Sequence, residues 1–314
     1  MDLPKTFIDT IQSVHKEEGR KWLANFNELI RYCEKRWSLK ILEPYELSYN
    51  FVAKAKLENG KMLVVKLVVP SDIGCKNEVQ ALKIFNGRKI VKLLDEDVSK
   101  GIMILECLTP GKQLAAIEND DEATFIMANV MKQLWITAPL NTDLPNLLDR
   151  EQEIKKIFNQ NPNGLGPISP QMLREAVEIF HYLNRTSSQP YILHGDLHHY
   201  NVLSAGTTSW LAIDPKGLIG EREYDVIQFL LNKVPDDNRA EVFQKRIMIF
   251  VNELDLEIKR VLLWGYCHSV LSLCWYIEDF GTSNDSVFET IKIFKDFYHS
   301  RYGPNDKRSI IGDD

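Results

Sequence analysis

Cysteine is scarce in this sequence: five in 314 residues, at Cys33, Cys75, Cys107, Cys267 and Cys274, with no C-x-x-C pair. That spacing excludes a zinc knuckle and a thioredoxin-type centre, and it fits reduced thiols in a cytoplasmic protein. Cys267 and Cys274, seven apart in an apolar stretch, read as core packing on one helix face. Glycine (16) and proline (13) are too few for a collagen-like or low-complexity chain. Long apolar runs are missing as well, since the longest, Trp264 to Ile277, is interrupted by His268, Ser269 and Ser272 and is too short to cross a bilayer. The start, Met1-Asp2-Leu3-Pro4-Lys5, carries no apolar signal segment. Positive charge is not in excess either: 38 Lys and Arg against 44 Asp and Glu give a net charge of −6. Such a chain is not expected to partner nucleic acid, whose phosphates it repels, or to enter a membrane.

What is present is an ordinary globular composition, 44% apolar and 26% charged, in a chain long enough for one two-part unit or two modest domains. The first forty residues read as helical: Trp22, Phe26, Leu29, Ile30 and Cys33 recur at steps of three and four. From Tyr45 the pattern turns to strands. Phe51–Leu57 and Met62–Val69 flank Asn59-Gly60, two residues that both tolerate the positive φ of a tight hairpin. A helix is expected over Lys76–Phe85 with Gly87 as its stop, then strands over Val91–Leu94 and Ile102–Cys107. After Pro110-Gly111 helices dominate, over Glu122–Thr137, Leu147–Asn159, Gln171–Asn184, Asp225–Asn232, Arg239–Leu254, Glu257–Asp279 and Ser286–His299. Three short β-like pieces interrupt them: Tyr191–Leu193, Val202-Leu203 and Trp210–Ile213.

The chemistry concentrates in Leu193-His194-Gly195-Asp196-Leu197-His198-His199-Tyr200-Asn201-Val202-Leu203 and in Ile213-Asp214-Pro215-Lys216-Gly217. An Asp followed five positions later by Asn resembles the H-R-D-x-x-x-x-N loop of kinases, and a second Asp follows eighteen residues after the first. This spacing lets one loop offer a carboxylate to a substrate hydroxyl while an amide oxygen and a second carboxylate grip magnesium, a hard cation whose shell nucleotide phosphates complete. Upstream, Val64-Val65-Lys66 sits in a strand as the phosphate-contacting Lys of V-A-I-K does, and Glu78 in the next helix is its acidic partner. Leu105-Glu106-Cys107-Leu108 ends the last strand of this region where a kinase hinge meets the base.

With Gly220-Glu221-Arg222-Glu223-Tyr224-Asp225 added, the wording His-Gly-Asp-Leu-His-x-x-Asn and Ile-Asp-Pro-Lys-Gly resembles the aminoglycoside phosphotransferases. The resemblance is greatest to the streptomycin 6-phosphotransferase and hydroxyurea-resistance kinase branch, which is also similar in its helical start and in Arg36-Trp37. It implies an α+β, two-lobed protein-kinase-like fold: a helical N-terminal extension (1–44), a small antiparallel β-rich nucleotide-binding N-lobe (45–108) and a large helical C-lobe (109–314) with the catalytic loop and acceptor site. It further implies ATP, with GTP open as the alternative donor, Mg2+, and a small-molecule acceptor such as streptomycin, a cation, at its 6-hydroxyl, or hydroxyurea. Carried over residue by residue, Asp196 orients and deprotonates the hydroxyl, Asn201 and Asp214 bind magnesium, and Lys66, held by Glu78, contacts the α and β phosphates. The backbone of Glu106 and Leu108 holds the base, and His198, two after Asp196, faces the γ-phosphate.

The chain departs from kinases at three points. No glycine-rich loop precedes Phe51, so the phosphates lean on Ser48 or Asn50 instead; Pro215 replaces the Phe of D-F-G; and the six residues between Asp214 and Glu221 leave no room for an activation segment. The second leaves no aromatic-driven inactivation switch, and the third argues against a protein kinase. Two further readings stay open, a metabolite kinase of the same fold and a kinase-like binding protein without activity. A zinc site of His194, His198 and His199 with Asp196 leaves Asn201 and Asp214 unexplained. Among neighbouring residues, His194 is expected to bond beneath the loop, His199 to be exposed, and Asp225 to cap a helix start. The acidic pairs Asp236-Asp237, Glu278-Asp279 and Asp313-Asp314 read as caps and tail, and Trp264, Tyr266, Trp275 and Tyr276 as core.

Overall fold

The computed structural model describes residues 2–70, 73–235 and 237–303, so Asp236 and Asp313-Asp314 lie outside the described residues. The chain forms two compact units, Met1–Lys112 with Leu203–Lys216, and Gln113–Val202 with Gly217–Asp314.

Unit 1 opens with α1 (Lys5–Ala24), broken at Lys16 where the backbone leaves helical angles, and α2 (Phe26–Trp37). Strands β1 (Leu39–Pro44), β2 (Phe51–Leu57) and β3 (Met62–Leu67) follow, then α3 (Ile73–Phe85), β4 (Leu93–Asp97) and β5 (Ile102–Glu106). They make one antiparallel sheet in the order β1-β2-β3-β5-β4. Alternation along the strands divides the residues between two faces. Phe51, Ala53, Ala55, Leu63, Val65 and Leu67 pack with Phe7, Ile11, Trp22, Phe26 and Cys33 of α1 and α2 in one core. The alternate register carries Lys66, paired with Val52 and Met103, and faces Glu78 of α3.

Three expectations for this region change. Leu39–Pro44, read as the end of the helical start, is an edge strand; Leu39 and Ile41 are its buried alternation, too brief to register as a pattern. In the β2–β3 hairpin only Gly60 takes a positive φ, 87°, and Gly60 N donates to Leu57 O before Leu57 N pairs with Lys61 O, a three-residue loop with Asn59 in ordinary backbone. The fourth strand begins at Leu93 rather than Val91. A short strand missed in the sequence, β6 (Pro110–Gln113), forms a second sheet in the order β10-β9-β6 with β9 (Val202–Ala205) and β10 (Ser209–Ala212).

Unit 2 holds α4 (Asp120–Leu134), β7 (Ile136–Thr137), α5 (Leu147–Gln160), α6 (Pro170–Thr186), β8 (Tyr191–Leu193) and β11 (Leu218–Gly220). It continues with α7 (Arg222–Asp225), α8 (Ile227–Leu231), α9 (Arg239–Leu254), α10 (Ile258–Phe280) and α11 (Asp285–Tyr302). The starts of α4, α5, α6 and α11 are capped by the side chains of Asn119, Asn146, Ser169 and Asn284. Ile136-Thr137, read as the end of a helix, is instead the edge of the sheet β11-β8-β7, because Trp135 leaves the helix in an extended conformation. The helix expected over Asp225–Asn232 is two short pieces with Asp225 ending the first.

α10 is the centre of unit 2: thirteen consecutive or near-consecutive residues from Val261 to Cys274 are buried, Cys267 and Cys274 among them. Trp264 and Tyr266 are core, whereas Trp275 and Tyr276 are half-buried. Among the described residues no helix is long and apolar enough to cross a membrane. His268 lies inside this core, bonded to the Tyr224 hydroxyl at 2.8 Å, and burial, reinforced by Arg150, pushes its pKa down to about 3. A histidine charges near 6.5 in the unfolded chain, so its depressed folded value gives stability that is full above 6.5 and lost as pH falls toward 3. By pH 5 this linkage amounts to roughly 2 kcal/mol. In urea titrations, His268→Gln should lose about that much less stability than the parent between pH 7.5 and pH 5; equal losses would contradict the assignment.

Candidate active site

In unit 1 three of the expected residues meet. Lys66 Nζ lies 2.8 and 2.7 Å from the two oxygens of Glu78, and it also contacts Asp214 Oδ1. Lys66 is 4% and Glu78 6% exposed, so both ends of the pair are out of water, while the Asp214 carboxylate is about one-third exposed. Burial opposes the lysine's charge, but Glu78 and Asp214 outweigh it and hold the ammonium protonated. Burial pushes the Glu78 carboxyl up, to about 7, against the pull of Lys66. Asp214 follows β10 and adopts φ 62°, a left-handed backbone that Asp and Asn tolerate better than other non-glycine residues. Glu106 ends β5; its side chain accepts from Lys92 N at 2.7 Å, leaving Cys107 and Leu108 half-buried beyond it. Ser48 is exposed in the loop joining β1 to β2. Because β1 precedes it, Ser48 lies between the first two strands rather than ahead of the first.

In unit 2 the loop after β8 gathers Asp196, His198 and Asn201. Gly195, at φ 80°, turns the chain so that His194 N and Gly195 N both donate to the Asp225 carboxylate, at 3.0 and 2.8 Å. His194 is fully buried and its Nδ1 accepts from Asp196 N at 3.3 Å, as expected. Asn201 Nδ2 donates to Asp196 O at 2.9 Å, closing the five-residue loop on itself. His198 Nδ1 accepts from Tyr200 N, and its Nε2 lies 3.3 Å from Asn201 Nδ2 and 3.7 Å from Asp196 Oδ1.

Two expectations fail here. His199 is fully buried, its ring stacked on Phe229 at 3.9 Å, and burial, with Arg246 nearby, pushes its pKa down to about 3. The adjacent histidines look alike in sequence, yet the short 3-10 turn His199–Asn201 sends this ring inward. Asp225 does not cap a helix start. Buried to 1% exposure, it ends α7 and takes its bonds from His194, Gly195 and Trp135 Nε1. Among the described residues no three His, Cys, Asp or Glu side chains gather as a metal-holding group. Sequence reasoning missed Trp135, for which no spacing signal exists.

A strand-borne Lys bonded to a helix Glu, together with an Asp-to-Asn loop and a second Asp after a short hairpin, defines a phosphotransferase of protein-kinase-like fold, a class that uses a nucleotide and phosphorylates an alcohol group. The family model for aminoglycoside/hydroxyurea antibiotic resistance kinases matches residues 42–280, and the chain belongs to that family. It is 26% identical over 298 residues to a streptomycin 6-kinase of Streptomyces glaucescens, covering 93% of this chain and 96% of that protein. It is 24% identical over 289 residues to a hydroxyurea phosphotransferase of Kitasatospora aureofaciens, covering 89% and 81%. Among solved structures, a thermostable mutant of the aminoglycoside phosphotransferase APH(4)-Ia, in ternary complex with ADP and hygromycin B, shares the fold with a TM-score of 0.59 at 12% identity, covering 87% of this chain and 98% of that one.

Proposed function

We propose that the protein is an ATP- and Mg2+-dependent O-phosphotransferase whose acceptor is an aminoglycoside of the streptomycin type, phosphorylated at its 6-hydroxyl, with hydroxyurea as the second acceptor. The observation that carries the reading is the buried Lys66–Glu78 pair in contact with Asp214. Burying an ammonium and a carboxylate is costly and rarely the most stable solution for a core, which favours a working nucleotide site over an inert binding protein. The sheet of 45–108 holds the nucleotide in this reading, and the helical region 109–314 holds the acceptor.

Lys66, fixed by Glu78, grips the α and β phosphates, and the backbone of Glu106 and Leu108 meets the base. Ser48, in the loop that replaces a glycine-rich one, reaches the phosphates. Asn201 and Asp214 hold the magnesium. Their donor set fits a hard cation: Asp214 offers carboxylate oxygen, and the Asn201 side chain is anchored through its nitrogen, which leaves its oxygen as the ligating end. A cation held by these two residues would supply positive charge to offset that of the phosphates. Asp196 accepts the proton of the acceptor hydroxyl as its oxygen bonds to the γ-phosphorus and the bond to the bridging oxygen of ADP breaks. His198, whose Nε2 lies 3.7 Å from Asp196 Oδ1, faces the γ-phosphate.

The test is an acceptor panel with purified protein, ATP and Mg2+, including streptomycin, hydroxyurea, choline and neutral sugars, read by mass spectrometry. Phosphorylated streptomycin is the expected product. Turnover of choline or a sugar alone would replace this reading with that of a metabolite kinase. No product, together with no Mg2+-nucleotide-dependent thermal stabilisation, would leave the inert binding protein.

A further inference from the structure

We propose that Trp135 is a positioning residue for phosphoryl transfer, acting through Asp225 on the loop that carries Asp196. The proposal rests on the reading of Asp196 as the base. Trp135 stands at the C-terminal end of α4, ninety residues before Asp225 in sequence, and is 7% exposed. Its Nε1–H donates to Asp225 Oδ2 at 2.8 Å. The same oxygen accepts His194 N at 3.0 Å, and Oδ1 accepts Gly195 N at 2.8 Å.

These three donors are neutral N–H groups, and the carboxylate they serve is buried. Burial pushes the Asp225 carboxyl up, and the bonds from Trp135, Gly195 and His194 pull against it. A buried charge stabilised by dipoles alone depends on each of them. Among the described residues, Trp135 is the one donor to Asp225 that does not belong to the loop. It therefore sets where the carboxylate sits, and the carboxylate sets where two consecutive amides sit, immediately before Asp196. Catalysis tolerates little displacement of a base from its line of attack.

The outer side of the Trp135 ring can be separated from this bond. It lines a surface cavity of about 350 Å³ where the Arg222 guanidinium lies 5.8 Å from the Trp135 ring centre and 5.4 Å from that of Tyr191. Two variants of the full chain divide the two sides. Trp135→Phe keeps an aromatic ring and removes the N–H; Arg222→Gln removes the cation over the ring and keeps the N–H.

Trp135→Phe should lower kcat about ten-fold or more, as expected for losing a hydrogen bond to a charged group, with both KM values within about two-fold of the parent. Hydrogen–deuterium exchange should speed up in the peptide containing His194 and Gly195. Arg222→Gln should leave both readouts near the parent. The proposal is overturned if Trp135→Phe leaves exchange in that peptide unchanged, if exchange rises without a fall in kcat, or if Arg222→Gln reproduces the full loss. Asp196→Asn, measured alongside, separates the two ideas: full activity in that variant removes Asp196 as base, whereas the exchange result reports on the Trp135–Asp225 link by itself.

Discussion

Asp196→Asn should lower kcat by roughly 10²–10⁴-fold, the range a positioned general base contributes, while nucleotide affinity stays within about two-fold. Asparagine has the shape of aspartate but cannot take up the hydroxyl proton. The loop has no reason to collapse, because its geometry is set by backbone groups: His194 N and Gly195 N on Asp225, and Asp196 O receiving Asn201 Nδ2. Nucleotide contacts are assigned to Lys66, which is held in another unit of the chain by Glu78. Single-turnover rates with streptomycin and calorimetric titration with Mg2+-nucleotide test both halves. A variant with parental turnover would remove Asp196 from the mechanism. Lys66→Ala should behave in the opposite way, weakening nucleotide binding and also stability, since it leaves Glu78 buried without its partner.

How far such residues were legible in the sequence depends on whether their geometry is local. The hairpin of β2 and β3 was legible because alternation and Asn59-Gly60 act within a few residues, and α9 was expected at the bounds it has. Lys66 and Glu78 were legible as candidates, twelve apart, through the order of strand and helix. The strand β1 was not, since two buried residues beside Pro44 make no pattern, and its place in the sheet comes from pairing with β2. The inward turn of His199 was illegible for a different reason: its environment comes from Phe229 and Arg246, thirty and forty-seven positions away. Asp225 was misjudged because a carboxylate before an apolar helical run normally caps it. Here the consecutive amides of a left-handed glycine turn compete for the same oxygens.

Removing the helical start should have the largest effect on stability. α1 and α2 cover the sheet face opposite Lys66, with Phe26 5.0 Å from Phe51 and 5.2 Å from Trp22, ring centre to ring centre. The strand residues beneath include Ala53 and Ala55, both fully buried, whose small side chains cannot fill a space left by a missing aromatic ring. Phe26→Ala is therefore expected to cost about 3–5 kcal/mol, the usual range for a buried aromatic truncated where the site cannot relax. A chain lacking residues 1–38 would expose the whole apolar face formed by Phe51, Leu63, Val65 and Leu67 to water. Unit 1 should then fail to fold, and with it the Lys66–Glu78 pair and all nucleotide-dependent thermal stabilisation. Urea denaturation of Phe26→Ala and nucleotide titration of the shortened chain measure these losses. A cost under 1 kcal/mol, or a shortened chain that still binds Mg2+-nucleotide, would show that the helices are an appendage and that the sheet stands without them.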